Sequence, residues 1–214
     1  VSTFAPESPT MAQCFTPRGN MLYTGSSDGF IRVYDLKRPQ AEVMKWKAHD
    51  ETSVANLIYK DHDQTKTNSK MLSNEVHGNV LVSIGASDNN IFEWDLRKIS
   101  EPKINRRYVG PTCKMMPHPS AHRIDGVFDP SGNFLLTAAG TSRALLYKRM
   151  RKSPVQWLGG HNGAVVAVDW VTSQHSPHQH DHQFRDTSST SLILTGSLDG
   201  SLRLREVLGR HQNV

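Results

Sequence analysis

Apolar and polar residues alternate in short runs along most of the chain, and four stretches share one pattern: residues 21–35, 82–95, 135–148 and 192–206. Each opens with an apolar run, passes through small residues into a turn rich in Asp, Gly, Asn or Ser, and resumes with a second alternating run. Two alternating runs separated by turn residues predict a β-hairpin, because Gly and Asn accept the positive φ that such turns need. A further apolar run precedes each hairpin, at residues 12–15, 53–59, 124–128 and 164–170. It meets the hairpin through a Pro-x-Gly turn at Thr16-Pro17-Arg18-Gly19-Asn20 and at Asp129-Pro130-Ser131-Gly132-Asn133, Pro setting φ and Gly closing the turn. Extended segments at 42–46 and 154–158 follow two of the hairpins and read as fourth strands, each leading into a histidine, His49 and His161. The expected unit is a four-stranded sheet repeated four times, an all-β chain.

Tyr34, Trp94, Tyr147 and Arg205 occupy the same place in the pattern, spaced 60, 53 and 58 residues apart. The order strand, Gly-His or Ala-His, strand, Pro-x-Gly turn, strand, small-x-Asp turn, strand, Trp-Asp resembles the WD40-repeat β-propeller family. The resemblance covers roughly residues 11–207 and implies blades of four antiparallel strands stacked around a channel. The blades are expected at about 11–47, 48–110, 122–158 and 161–207. Family repeats run to about 40–45 residues, so insertions are expected at 60–77, 98–121 and 172–190, where long loops are usually functional or disordered. Four blades are at the bottom of the usual range of about four to eight, and the chain is expected to be part of a larger ring. The resemblance also implies a polar network inside each blade, on His49, Asp88 and Trp94 in the second repeat and on His161, Thr195 and Asp199 in the fourth. Thr141, Lys148 and Arg205 depart from the pattern, so the third and fourth networks should be incomplete.

Composition narrows the picture. Among 214 residues, 36% are apolar and 21% charged, Lys and Arg number 25 against 20 Asp and Glu, and the formal net charge is +5. A mild basic excess favours encounters with acidic partners without specifying one. No apolar run reaches the length of a membrane helix, no signal peptide is visible at Val1, and two cysteines, Cys14 and Cys113, point to a reducing compartment, cytoplasmic or nuclear. Neither a nucleophile elbow, a phosphate loop nor a zinc-protease motif is present, so no enzyme, cofactor or metal site is expected. The histidines at His175, His178, His180 and His182 read as a polar loop in preference to a metal cluster.

The candidate function is therefore that of a non-enzymatic scaffold or adaptor binding other proteins through its loops, with no membrane partner. Two alternatives rest on particular residues. Arg106, Arg107 and Tyr108, with Arg149, Arg151 and Lys152, place basic side chains beside an aromatic ring, as an RNA-binding subunit of a small ribonucleoprotein would. The order of landmarks from Cys14 to Gly132 is similar to the telomerase Cajal body protein subfamily. The run Trp94-Asp95-Leu96-Arg97 resembles the motif by which some WD40 proteins dock on the adaptor of cullin-4 ubiquitin ligases, with Trp94, Asp95 and Arg97 as the docking residues.

Overall fold

The structure is a computed structural model that describes residues 7–38, 42–50, 52–60, 80–88, 90–96, 102–110, 124–149, 151–173 and 190–207. Fifteen strands and no helix are found among them. The first sheet holds β1 (Thr10–Phe15), β2 (Met21–Ser26), β3 (Phe30–Asp35) and β4 (Glu42–Lys47) in that spatial order. The second holds β5 (Val54–Lys60), β6 (Val80–Gly85), β7 (Asn90–Asp95) and β8 (Lys103–Val109), and the third β9 (Gly126–Phe128), β10 (Phe134–Ala138), β11 (Ala144–Lys148) and β12 (Gln156–Leu158). The fourth has three strands among the described residues, β13 (Val165–Ser173), β14 (Thr190–Ser197) and β15 (Leu202–Val207). All neighbours are antiparallel, so each sheet is an up-and-down meander, as the hairpin spacing predicts.

The register repeats as well. A bulge interrupts the first pairing at Thr10/Ala12, at Val54/Asn56 and at Val165/Ala167, the same point of three sheets. An extra residue there increases the local twist. The Pro-x-Gly turns have their glycines at positive φ, 62° at Gly19 and 74° at Gly132, as a turn of that composition requires.

Neighbouring sheets face each other across apolar layers. Tyr23, Ile31 and Val33 of the first sheet meet Leu57, Phe92 and Trp94 of the second. The larger layer joins Val82, Ile84 and Ile91 to Leu135, Leu136 and Tyr147, and continues to Val165, Val168 and Ile193. Alternation decides which side chain goes where: Ile31 and Val33 point to one side of β3, and Phe92 and Trp94 answer from the facing side of β7, following the period-2 pleat. The first two sheets also approach closely, since a Cβ on Gly25 would lie 2.5 Å from Val54 Cγ1. Asp125 ties three sheets, accepting from Asn56 Nδ2 of the second (3.0 Å) and from the Val168 backbone N–H of the fourth (3.3 Å).

One expectation is corrected here. The insertion expected at 98–121 contains β8, the fourth strand of the second sheet, because Ile104 and Tyr108 pair with β7 together with the charged Lys103, Arg106 and Arg107 between and beside them. The fourth sheet has three strands among the described residues, β15 being the last of them. Leu202 and Leu204 on β15 are 73% and 65% exposed, on the face away from the third sheet. The expected insertions at 60–77 and 172–190 lie almost wholly outside the described residues, as do His175, His178, His180 and His182.

Candidate interaction site

The chemistry that holds the blades comes first, because it decides which residues remain free to meet a partner. In the second sheet His49 is 1% exposed, with Nδ1 2.7 Å from Asp88 Oδ2 and Nε2 2.9 Å from Ser83 Oγ. Ser83 also accepts from Trp94 Nε1 at 2.9 Å. His49, Asp88 and Trp94, named from the sequence, thus meet through a hydroxyl that the reading omitted. The signal was present, since Ser83 aligns with Thr195. Gly85 makes room for this arrangement: a Cβ there would lie 2.0 Å from Asp88 Oδ1 and 2.6 Å from His49 Nδ1.

In the fourth sheet His161 is bonded by Nε2 to Thr195 Oγ1 and by Nδ1 to Ser201 Oγ, each at 2.8 Å. Asp199 stands 3.7 Å from His161 Nδ1 and reaches it through Ser201, whose hydroxyl it accepts at 2.5 Å. Its other carboxylate oxygen accepts from the backbone of Asn162 and Gly163. In place of the indole, Arg205 donates from Nη2 to the Gly159 carbonyl.

The first sheet has a different lock. Arg32, 2% exposed, lies 2.6 Å from Asp28 Oδ2 and donates to Ser26 Oγ at 2.9 Å, with Glu42 Oε2 3.4 Å away. A guanidinium occupies the bonding role that imidazole has in the second and fourth sheets. Its hydrogen bond to Asp28 holds that carboxyl below its ordinary value of 3.8.

Asp88 and Asp199 titrate together with these locks. Burial works against the Asp88 carboxylate, yet the hydrogen bond and charge of His49 bring it below 3.8, and the Ser201 hydroxyl and backbone bring Asp199 lower still. A carboxyl whose folded pKa is depressed contributes stability above its unfolded pKa and loses it as pH falls through the folded value. Thermal melts are therefore expected to be flat down to about pH 5 and to drop progressively below pH 4, with a shallower drop in Asp88→Asn. An acid limb unchanged by that substitution would dissociate Asp88 from the effect.

Between the second and third sheets lies a cluster that the sequence reading assigned elsewhere. Glu93 is fully buried and accepts from Asn105 Nδ2 and from the Tyr108 hydroxyl, both at 2.7 Å, while Arg149 Nε and Nη2 approach at 3.2 Å. Arg106 donates to the Arg149 carbonyl. Arg107 forks onto Asn90 Oδ1 and lies over the Phe92 ring. This corrects the stacking role expected of Tyr108, which is 0% exposed and cannot meet a base, and Arg106 and Arg149 are bonded within the joint. Arg151 and Lys152 are exposed. The docking assignment changes too. Trp94 is 4% exposed and packs edge-on against Trp46 and Phe92, so its indole faces the interior; Asp95 is half-buried, and Arg97 lies outside the described residues. Cys14 is half-buried and its thiol is pushed up to about 12 by burial, which keeps it protonated and unreactive. Cys113 lies outside the described residues. Among the described residues no three His, Cys, Asp or Glu side chains are placed to hold a metal ion.

Antiparallel meandering sheets stacked face to face, with His–hydroxyl–Asp locks in two of them, define the class: an all-β fold consistent with a WD40 β-propeller. Residues 1–35 match the WD40 family, described as WD domain, G-beta repeat. Among curated proteins the chain is similar to the WD repeat-containing protein 91 homolog of Dictyostelium discoideum, 26% identical over 200 residues, and to WD repeat-containing protein 91 of Xenopus tropicalis and Mus musculus, 27% and 28% identical over 219 and 209 residues. These alignments cover 94%, 94% and 91% of this chain but 21%, 24% and 23% of the relatives. The chain thus spans under a quarter of their length. The similarity in order to the telomerase Cajal body protein finds no support in these relatives. Among solved structures, the computationally designed Ika4 protein matches with a TM-score of 0.56 over 95% of this chain and 94% of its own, at 17% identity, a likeness of fold alone.

Proposed function

We propose that this chain acts as a non-enzymatic scaffold that holds other proteins within a macromolecular complex. The observation carrying this reading is the way the polar side chains are distributed. The histidines, carboxylates and hydroxyls that could have served catalysis are bonded to one another inside or between blades, which makes a rigid frame. Turns and strand ends stay outside it, and rigid frames with exposed loops serve recognition. The similarity to proteins named WD repeat-containing protein 91 agrees with an interaction role without naming a partner. A cytoplasmic or nuclear location is part of the same proposal.

Affinity capture of the full chain from a cell extract, read by mass spectrometry against a chain unfolded through Trp94→Ala, tests the reading. Proteins retained in fixed proportion by the folded chain and lost with the unfolded one are expected. Capture of nothing beyond what the unfolded chain retains would refute it.

A further inference from the structure

The junction between the third and fourth sheets carries three arginines around one pair of glycines. Gly159 and Gly160 link β12 to His161. Arg143 lies against Gly159, where a Cβ would come 3.7 Å from its Cγ, and Arg203 lies against Gly160, where a Cβ would come 3.2 Å from Nη1. Arg205 holds the Gly159 carbonyl, and its buried Nε has no hydrogen-bond partner among the described residues. At Gly160, where φ is 114°, the absence of a side chain lets the Arg203 guanidinium lie close to the backbone, while the contact at Gly159 is an ordinary one.

No carboxylate neutralises this group among the described residues. Arg143 lies over the Trp157 ring, 5.1 Å from its centroid, and among the described residues no ion pair involves Arg143, Arg203 or Arg205. Asp199, the acidic group beside His161, is already committed to Asn162, Gly163 and Ser201. Arg143 and Arg203 are exposed and Arg205 half-buried, whereas buried Arg32 has Asp28 and half-buried Arg149 has Glu93. Trp157 is meanwhile 59% exposed. An indole left in water beside unpaired arginines combines the two residue types most enriched at the energetic centres of protein interfaces.

We infer that Arg143, Trp157 and Arg203 form a docking surface for an acidic peptide segment of a partner protein, with carboxylates on the arginine forks and an apolar side chain against the indole. This deepens the scaffold reading and rests on it. The guanidinium fork matches a carboxylate in two parallel hydrogen bonds, which a lysine would not provide. Arg143 already covers the indole, so the remaining ring surface suits an aliphatic side chain better than a base stacked between two planes.

The test is fluorescence anisotropy of a short labelled peptide alternating Glu and Leu, titrated with the full chain at low and at physiological salt. Saturable binding is expected, weakened about tenfold by Arg143→Ala or by Arg203→Ala, as the loss of one charged fork implies. Melts of both variants should lie close to wild type, since both side chains are exposed and neither has an ion pair among the described residues. Arg143→Glu with Arg203→Glu should reject the Glu/Leu peptide and bind its Lys/Leu counterpart. Equal binding of a Gln/Leu peptide, undiminished binding by the alanine variants, or tighter binding of a single-stranded oligonucleotide would each overturn the assignment. If extract partners are retained alike by wild type and the double variant, the surface falls and the scaffold stands; failure of the wild type to retain any partner brings down the scaffold itself.

Discussion

Glu93→Ala is expected to lower the free energy of unfolding by about 3–5 kcal/mol, the cost of removing one member of a buried ion pair and leaving the other behind. Glu93 is fully buried and serves four donor atoms on Asn105, Tyr108 and Arg149. Asn105 and Tyr108 belong to its own sheet, but Arg149 comes from the next, so the substitution strands a guanidinium in the joint between them. Burial and the Glu93 charge already push the Tyr108 hydroxyl far above its ordinary value, which keeps it a donor. Glu93→Gln should cost less, about 1–3 kcal/mol, because it still offers an acceptor to Tyr108. Combining Glu93→Leu with Arg149→Met should recover much of the loss, as both charges then leave together. Urea denaturation of the set measures these differences, and a Glu93→Ala variant as stable as wild type would show that the cluster does not hold the sheets together.

Trp94→Ala is the second large effect, at about 3–5 kcal/mol for a truncated buried indole. Its ring lies 5.6 Å from Trp46 and 5.8 Å from Phe92 between centroids, both edge-on, in the layer between the first and second sheets. Truncation would open a cavity there and free Ser83 from one of its two partners. Trp94→Phe keeps most of the packing and loses only the indole donor, so about 1–2 kcal/mol is expected. Thermal melts of the two variants separate packing from hydrogen bonding; an alanine variant no less stable than the phenylalanine one would contradict the burial. Because the indole is interior, any loss of partners in Trp94→Ala reflects unfolding of the blade.

Much of the fold was legible in the chain because a β-meander writes itself locally. Alternation set the strands, Pro-x-Gly marked the turns, and the recurrence of His49 and His161 before corresponding strands marked the locks. The same local rule failed at β8. Its alternating apolar positions, Ile104 and Tyr108, are separated by charges that read as a basic loop until the pairing with β7 is seen.

Sequence alone determined the repeating unit, its strand order and the His–Asp positions, since these follow from side-chain period, turn chemistry and residue type within one repeat. Tertiary structure decided where the charges went. Whether an arginine meets water, a carboxylate or a ring depends on which face of which neighbouring sheet lies opposite, and that neighbour is tens of residues away in the chain. Arg149, 56 positions from Glu93, is half-buried against it, while Arg143 lies over an exposed indole. In the sequence both are simply arginines at the ends of β11. The stacking of sheets, which supplies or withholds a carboxylate in a low-dielectric joint, made one of them structural and left the other free to bind.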